Sequence, residues 1–224
     1  MGTPTFIVYD TETTGLPPRA PRGAPPIPAD DPRQPHLASF AAILTDENGI
    51  ELDRWKLFVK PNGWTMAECD ASAIADGKKP ASEIHGLTDD FLNANGSPVW
   101  AVLELWNGFI EKGYPVIAFN DLFDAKIMRG ELRRAGMPDL FEETKRICAM
   151  KALAPYAPDG MDFNLQRGTI SLERACEYFG IRNDDAHDSM SDAAAARAIV
   201  EILIRDGRLP QPGIPRSKHV NGGK

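Results

Sequence analysis

The sequence FIVYDTETTGL, residues 6–16, indicates both the first element of the fold and its first polar site. The apolar run 6–9 has no polar alternation, which is typical of a central strand covered on both faces. Because side chains alternate between the faces of a strand, Asp10 and Glu12 point to the same side. Two neighbouring carboxylates repel each other, so burial favours a divalent cation with oxygen ligands beside them. Turn chemistry alone leaves a second interpretation open, a polar strand end that enters a glycine turn.

Length and composition are those of a globular protein with one domain. The chain has 224 residues, of which 42% are hydrophobic and 25% charged. Its net charge of -7 argues against a strong, nonspecific grip on nucleic acid through a basic face. This charge does not exclude a nucleic-acid enzyme, because bound divalent ions would neutralise acidic residues locally.

Cysteines and apolar segments limit the environment of the chain. Cys69, Cys148 and Cys176 are far apart and form no CxxC pair, so neither a zinc site nor a disulfide framework is predicted. The N-terminus does not resemble a signal peptide, and no apolar stretch approaches the roughly 20 residues that span a bilayer. We therefore expect a cytoplasmic protein without membrane contact.

The order of predicted elements is that of a mixed sheet with helices on its faces. Strands are predicted at 6–10, 37–45, 51–61, 114–119 and, weakly, 146–149, and helices at 99–113, 123–135, 170–179 and 189–204. The second and third strands form a hairpin around Asp46–Gly49, and we expect this antiparallel pair to flank the first strand. The stretch between the third strand and the helix at 99 is predicted to be irregular.

Two segments have the composition of irregular chain. Residues 17–35 contain eight of the 19 prolines and predict an extended loop, called here the Pro-rich segment. Residues 209–224 are rich in proline and glycine and predict a disordered tail.

A second carboxylate follows the fourth predicted strand. That strand ends near Asn120, and Asp124 then lies in the first turn of the next helix, beside the sheet edge from which Asp10 and Glu12 project. The alternative role for Asp124 is favourable interaction with the helix N-terminus.

A third polar group precedes the last helix. Ser189 and Asp192 match a capping box, yet Asp192 also lies on the apolar stripe of the helix and so points to the sheet. His187 lies just outside the helix and titrates near neutrality, as a general base should. The alternative for His187 is a solvated loop histidine.

The combination Asp10-x-Glu12, Asn120-x-x-x-Asp124 and His187-x-x-x-x-Asp192 resembles the DEDDh branch of the DnaQ-like 3′–5′ exonucleases. That superfamily includes proofreading subunits of DNA polymerases, ribonuclease T and oligoribonuclease. The resemblance covers residues 5–205, the predicted exonuclease domain. It implies an α/β, ribonuclease-H-like fold, with a mixed five-stranded sheet and helices on both faces.

The resemblance also implies roles for individual residues. Asp10, Glu12, Asp124 and Asp192 would bind two Mg²⁺ or Mn²⁺ ions, and His187 would deprotonate the attacking water. The positions that hold the 3′ end of the substrate in relatives are Thr13, His85, Asn120 and Phe123. A structural turn role for His85 and core packing for Phe123 are the alternatives.

The implied function is hydrolysis of phosphodiester bonds from the 3′ end of DNA or RNA, with release of nucleoside 5′-monophosphates. We expect single strands to be preferred, and a DNA polymerase subunit or a second copy of the chain are the candidate protein partners. The alternative is an inactive nucleic-acid-binding or polymerase-associated module, and an endonuclease on the same fold is a further one. Two features depart from the family: Phe119 replaces a histidine found in many relatives, and the Pro-rich segment is longer than the usual link.

Overall fold

The fold is described from a computed structural model, which covers residues 2–21 and 23–214. Its five strands are β1 (Phe6–Thr13), β2 (Leu37–Thr45), β3 (Glu51–Phe58), β4 (Val116–Ala118) and β5 (Arg146–Cys148). They form one sheet in the order β3-β2-β1-β4-β5, in which β2 is antiparallel to β1 and β3, and β4 is parallel to β1 and β5. The predicted mixed five-stranded sheet is confirmed.

Helices lie between β3 and β4, between β4 and β5, and after β5. They are α1 (Met66–Ala75), α2 (Ser82–His85), α3 (Asp89–Asn95), α4 (Val99–Glu111), α5 (Asp121–Arg134), α6 (Ala149–Ala152), α7 (Leu172–Phe179) and α8 (Ser189–Arg205). Short 3₁₀ turns lie at Leu140–Glu142 and Ala154–Asp159. None of the helices in the described part of the chain is long and apolar enough to cross a membrane.

Each face of the sheet carries its own hydrophobic core. Val8 and Ile117 pack with the α8 residues Ile199 and Leu203 on one face. On the other face, Tyr9 lies 4.7 Å from the α4 residue Trp106, measured between ring centroids. Both cores explain the unbroken apolar run of β1, because its alternating side chains are buried in turn on either side.

Two strand predictions need correction. The antiparallel pair does not flank β1, because β3 lies at the sheet edge outside β2 and β1 lies between β2 and β4. Strand β1 also continues three residues past Asp10, to Thr13, with a shift of register between Glu12 and Thr13. Asp10 and Glu12 therefore belong to the strand itself rather than to the turn after it.

The prediction of an irregular stretch before residue 99 was wrong, because α1, α2 and α3 lie there. These helices have no long apolar stripe, and α1 buries only Met66. Polar contacts hold α1 instead: Thr65 caps it, and the Asp89 carboxylate of α3 accepts hydrogen bonds from the backbone N–H groups of Met66 (2.7 Å) and Ala67 (3.0 Å). A contact between residues so far apart in sequence leaves no periodic signal.

The Pro-rich segment contains neither helix nor strand in its described residues, and it lies against α5. Arg134 of α5 donates a hydrogen bond from Nη2 to the Pro35 carbonyl (2.8 Å). The approach is close at Gly130, where a Cβ atom would lie 2.8 Å from the Ala29 carbonyl oxygen.

The predicted tail 209–224 lies only partly within the described residues. In the described part, the Gly213 carbonyl accepts a hydrogen bond from the Arg146 N–H (2.9 Å) at the free edge of β5.

Candidate active site

Three carboxylates converge between β1 and α8. Asp10, Glu12 and Asp192 each offer an oxygen atom, and these three atoms lie within 4.8 Å of one another. Alternation along β1 turns both of its carboxylates toward α8. Small side chains on α8, such as Ala193 against Ala41 of β2, let the helix approach the sheet closely and bring Asp192 to the same point.

Asp124 reaches the cleft from the opposite face of the sheet. It lies in the first turn of α5 and is 3% exposed. Its Oδ1 accepts hydrogen bonds from the Thr11 hydroxyl (2.7 Å) and the Thr11 N–H (3.1 Å). One carboxylate oxygen is therefore engaged by β1, and Asp124 lines the cleft outside the close group of three.

The carboxylates raise one another's pKa. Burial raises the pKa of Glu12 to about 8, and the charges of Asp192 and Asp124 add to the effect. Burial also raises the pKa of Asp10, with Asp124 and Glu12 as the largest charge contributions. The same cause, burial first, raises the pKa of Asp192. Such a site favours a compensating cation, because the negative charges are close together and poorly hydrated.

The donor atoms fit a hard divalent cation. Asp10, Glu12 and Asp192 provide only carboxylate oxygens, with Asp124 beside them, and oxygen ligands are those that Mg²⁺ and Mn²⁺ prefer. A structural zinc site would instead use cysteine or histidine ligands. The donor set does not discriminate between Mg²⁺ and Mn²⁺.

The start of α8 differs from the predicted capping box. Asp188 is the N-cap and accepts hydrogen bonds from the N–H groups of Met190 and Ser191, both 3.1 Å. Ser189 is instead the first helical residue, and its hydroxyl pairs with the Ser39 hydroxyl of β2. Asp192 therefore does not form the predicted capping box with Ser189.

Asp192 is held by the loop that precedes α8. Its Oδ1 accepts a hydrogen bond from the side-chain amide of Asn183 (2.7 Å), and its Oδ2 accepts one from the backbone N–H of His187 (3.2 Å). The Ser191 hydroxyl in turn donates to the side-chain Oδ1 of Asn183 (2.7 Å). Asn183 is thus a positioning residue that the sequence patterns did not indicate, because an isolated loop asparagine carries no motif.

His187 is exposed, lines the cleft and has an unusual backbone conformation. Its φ of 67° makes it the one non-glycine residue with positive φ in the described chain. This region is sparsely populated by residues with a Cβ atom, and such strain is concentrated at functional sites. The conformation turns the His187 N–H toward Asp192, so the imidazole and the carboxylate belong to one structural unit.

His85 and Thr13 both line the cleft and are linked to each other. The Leu87 N–H donates to His85 Nδ1 (3.1 Å), so Nε2 carries the proton and donates to the Thr13 carbonyl (3.1 Å). Burial lowers the pKa of His85, in keeping with a neutral ring. His85 therefore supports the backbone of Thr13, which agrees with the structural alternative, while it also lines the cleft.

Asn120 and Phe123 line the cleft from the start of α5. Asn120 precedes α5 and is exposed, and its side chain makes no capping hydrogen bond. Phe123 is partly buried against the core formed with α4 and also lines the cleft, so both of its predicted roles agree with its position.

The cleft has a volume of about 480 Å³ and includes residues that no motif indicated. Leu16 and Ile84 provide exposed apolar surface, and Lys78 and Lys79 provide positive charge at the rim. The two lysines lie in the loop between α1 and α2, a region predicted without structure.

Comparison with known families gives an independent result. A family model described as RNase_T exonuclease matches residues 7–200. A search of curated protein sequences found no significant match.

Similar folds occur among solved structures of Escherichia coli exonuclease I. The zinc-bound complex with single-stranded DNA has a TM-score of 0.63 and 21% identity, covering 91% of this chain and 41% of that one. The complex with a dA16 oligonucleotide has a TM-score of 0.66 and 20% identity, with coverages of 90% and 41%. A product-bound structure described only as exonuclease I has a TM-score of 0.65 and 21% identity, with coverages of 89% and 43%. The chain thus spans about two fifths of the length of these structures and shares their ribonuclease-H-like fold.

Proposed function

The chain belongs to the exonuclease family, and from this premise we propose that it is a metal-dependent 3′–5′ exonuclease acting on single-stranded ends of DNA or RNA. The carrying observation is the convergence of Asp10, Glu12 and Asp192, with Asp124 beside them, in one cleft. Four buried or half-buried carboxylates in one cleft destabilise a fold unless a bound cation compensates their charge. The similar E. coli exonuclease I structures contain single-stranded DNA, which supports single strands as substrate.

The proposed reaction divides the work between metal and protein. Two bound divalent ions, held by Asp10, Glu12, Asp124 and Asp192, would supply Lewis-acid stabilisation of the charge that develops on the phosphate and lower the pKa of water. His187 accepts a proton from the attacking water. The oxygen of that water forms a bond to phosphorus, the bond from phosphorus to the 3′-oxygen breaks, and solvent protonates the leaving oxygen. The products are a nucleoside 5′-monophosphate and a strand shortened by one nucleotide.

The remaining cleft residues position the strand. Thr13, supported by His85, and Asn120 recognise the 3′-terminal nucleotide, and Phe123 offers a ring for stacking, which tolerates any base. The Asn183 side chain donates a hydrogen bond to one carboxylate oxygen of Asp192, and the His187 N–H donates one to the other oxygen. These contacts fix the position of the general base His187 relative to the metal ligand Asp192. The proposed protein partner is a polymerase subunit or a second copy of this chain. Sedimentation velocity tests whether the chain forms a dimer.

A 5′-labelled single-stranded oligonucleotide tests the proposal. With Mg²⁺ or Mn²⁺ we expect a ladder of products that shortens from the 3′ end, and excess EDTA or Asp10→Asn should abolish it. A 3′-phosphate should stall degradation, because a dianion would face groups that bind a hydroxyl. Release of the label first as a mononucleotide, cutting of circular single strands, or full activity in EDTA would overturn the assignment.

A further inference from the structure

A second, open groove adjoins the catalytic cleft. It has a volume of about 710 Å³ and lies between α6, the start of α7 and the turn that closes the bridge from Asn164 to Thr169. Asn120 lines both the cleft and the groove, so the two adjoin each other at this residue.

The groove is positively charged in a chain whose net charge is -7. Its described lining includes three cationic side chains, Lys151, Arg167 and Arg174, and one carboxylate, Asp162. Arg174 pairs with Asp162, but both side chains are exposed, at 60% and 72%, so water screens this pair. Lys151 and Arg167 form no ion pair with any carboxylate that the structure describes.

These features match the chemistry of a single nucleic-acid strand. Phosphates bind to exposed cations, which Lys151 and Arg167 provide. Leu122, which is 61% exposed at the groove, offers apolar surface to a base or sugar. Because the rest of the surface carries excess negative charge, a strand that leaves the cleft is attracted to this side.

We propose that this basic groove, lined by Lys151, Arg167 and Arg174, binds the sugar-phosphate backbone of the strand upstream of its 3′-terminal nucleotide. The inference rests on the proposed function, since it takes the 3′ end to lie in the catalytic cleft. The affinity for the substrate then depends on its length, because oligonucleotides that reach the groove bind more tightly than dinucleotides that do not.

A pair of charge-matched double variants tests the groove. Lys151→Gln with Arg167→Gln should weaken binding of long single strands, and the slope of log Kd against log salt should become shallower by about 1.4, because each phosphate contact of a single strand contributes about 0.7. Lys112→Gln with Lys145→Gln changes the net charge equally where β4 and β5 begin, at the opposite ends of these strands from Asn120 and Lys151, and should leave binding unchanged. Binding is measured by fluorescence anisotropy of a 5′-labelled oligothymidylate in EDTA, and thermal unfolding checks that both variants fold.

The position of the contact is tested with neutral methylphosphonate linkages placed one at a time along the strand. A neutral linkage at a groove-bound position should weaken wild-type binding and leave the Lys151→Gln/Arg167→Gln variant unaffected. Hydrolysis of a dinucleotide in Mg²⁺ should proceed at the wild-type rate in that variant, since no groove contact is lost.

The outcomes separate the two proposals. Salt slope and length dependence that are unchanged in the groove variant, beside normal wild-type hydrolysis, would overturn the groove and leave the exonuclease assignment standing. Groove-dependent binding without hydrolysis by the wild type would overturn the exonuclease assignment instead. Equal loss of binding in the control variant would show a general effect of charge and would also overturn the groove.

Discussion

At the residue scale, His187 combines a chemical requirement with a conformational one. A histidine with φ of 67° adopts a conformation that glycine reaches without steric penalty. The imidazole side chain thus occupies a position whose backbone conformation glycine would adopt with less strain. This conflict is expected where the side chain serves the reaction rather than stability.

Two substitutions at this position separate the roles. His187→Gly and His187→Ala should both lower kcat by about 10²–10⁴-fold, the range for loss of a general base. His187→Gly should be more stable than His187→Ala by about 0.5–1 kcal/mol, because only glycine adopts positive φ freely. Rates from pH 5.5 to about 9 and thermal unfolding of all three proteins are the measurements. The ascending limb of the wild-type pH–rate profile should disappear in both variants, and an unchanged limb would assign His187 a structural role.

At the element scale, α5 joins the site to the Pro-rich segment. Its first turn carries Asp124, and its last turn carries Arg134, which holds the Pro35 carbonyl and the buried carboxylate of Glu131. Glu131 also accepts a hydrogen bond from the N–H of Leu37, the first residue of β2 (2.9 Å). Burial alone would raise the pKa of Glu131, but the hydrogen bonds from His36, Arg134 and Leu37 lower it on balance.

Substitution of Arg134 tests how much its ion pair with Glu131 contributes to the free energy of unfolding. Arg134→Met leaves the Glu131 carboxylate, whose side chain is 7% exposed, without its cation and should destabilise the protein by about 3 kcal/mol. The double variant Glu131→Gln/Arg134→Met should be less destabilised, because no charge is then buried without a partner. Urea unfolding measures both, and limited proteolysis within 17–35 should accelerate in the single variant. A double variant that loses the full sum of both effects would contradict this explanation.

At the scale of the whole molecule, the carboxylate cluster couples stability to pH and to metal. The pKa of Glu12 is raised from 4.5 in the unfolded chain to about 8 in the folded one. Between these values the folded state holds a proton that the unfolded state has lost, so the free energy of unfolding falls as pH rises. The contribution of Glu12 to the stability of the metal-free protein is therefore fully present below about pH 4.5 and is lost as the pH rises to about 8.

This coupling predicts a measurable pH profile. In EDTA, the free energy of unfolding should fall from about pH 4.5 to pH 8, by at most about 5 kcal/mol from Glu12 alone. Glu12→Gln should flatten the fall, and Glu111→Gln, an exposed carboxylate at the end of α4, should not. Mg²⁺ added at pH 8 should restore stability in the wild type, since it binds only the folded cluster. Wild-type stability that rises with pH in EDTA would contradict the burial of these charges.

The sequence by itself determined the elements whose signals are local. The apolar run of β1, the alternation that places Asp10 and Glu12 on one side, and the helical spacing that turns Asp192 to the sheet can each be read within a few residues. The mixed sheet followed from the order of such elements. Roles for Asp124 and His187 came with the motif and stay proposals for this chain.

Only the tertiary structure decided which distant groups meet. Helix α1 depends on Asp89 of α3, Asp124 is held by Thr11, and Lys151 and Arg167 line the same basic groove. Asp188 rather than the predicted Ser189 caps α8. The physical reason is common to all of them: local propensity depends on neighbours in the chain, whereas distances between side chains on different elements depend on strand order and helix packing, which the cooperative burial of two cores fixes together.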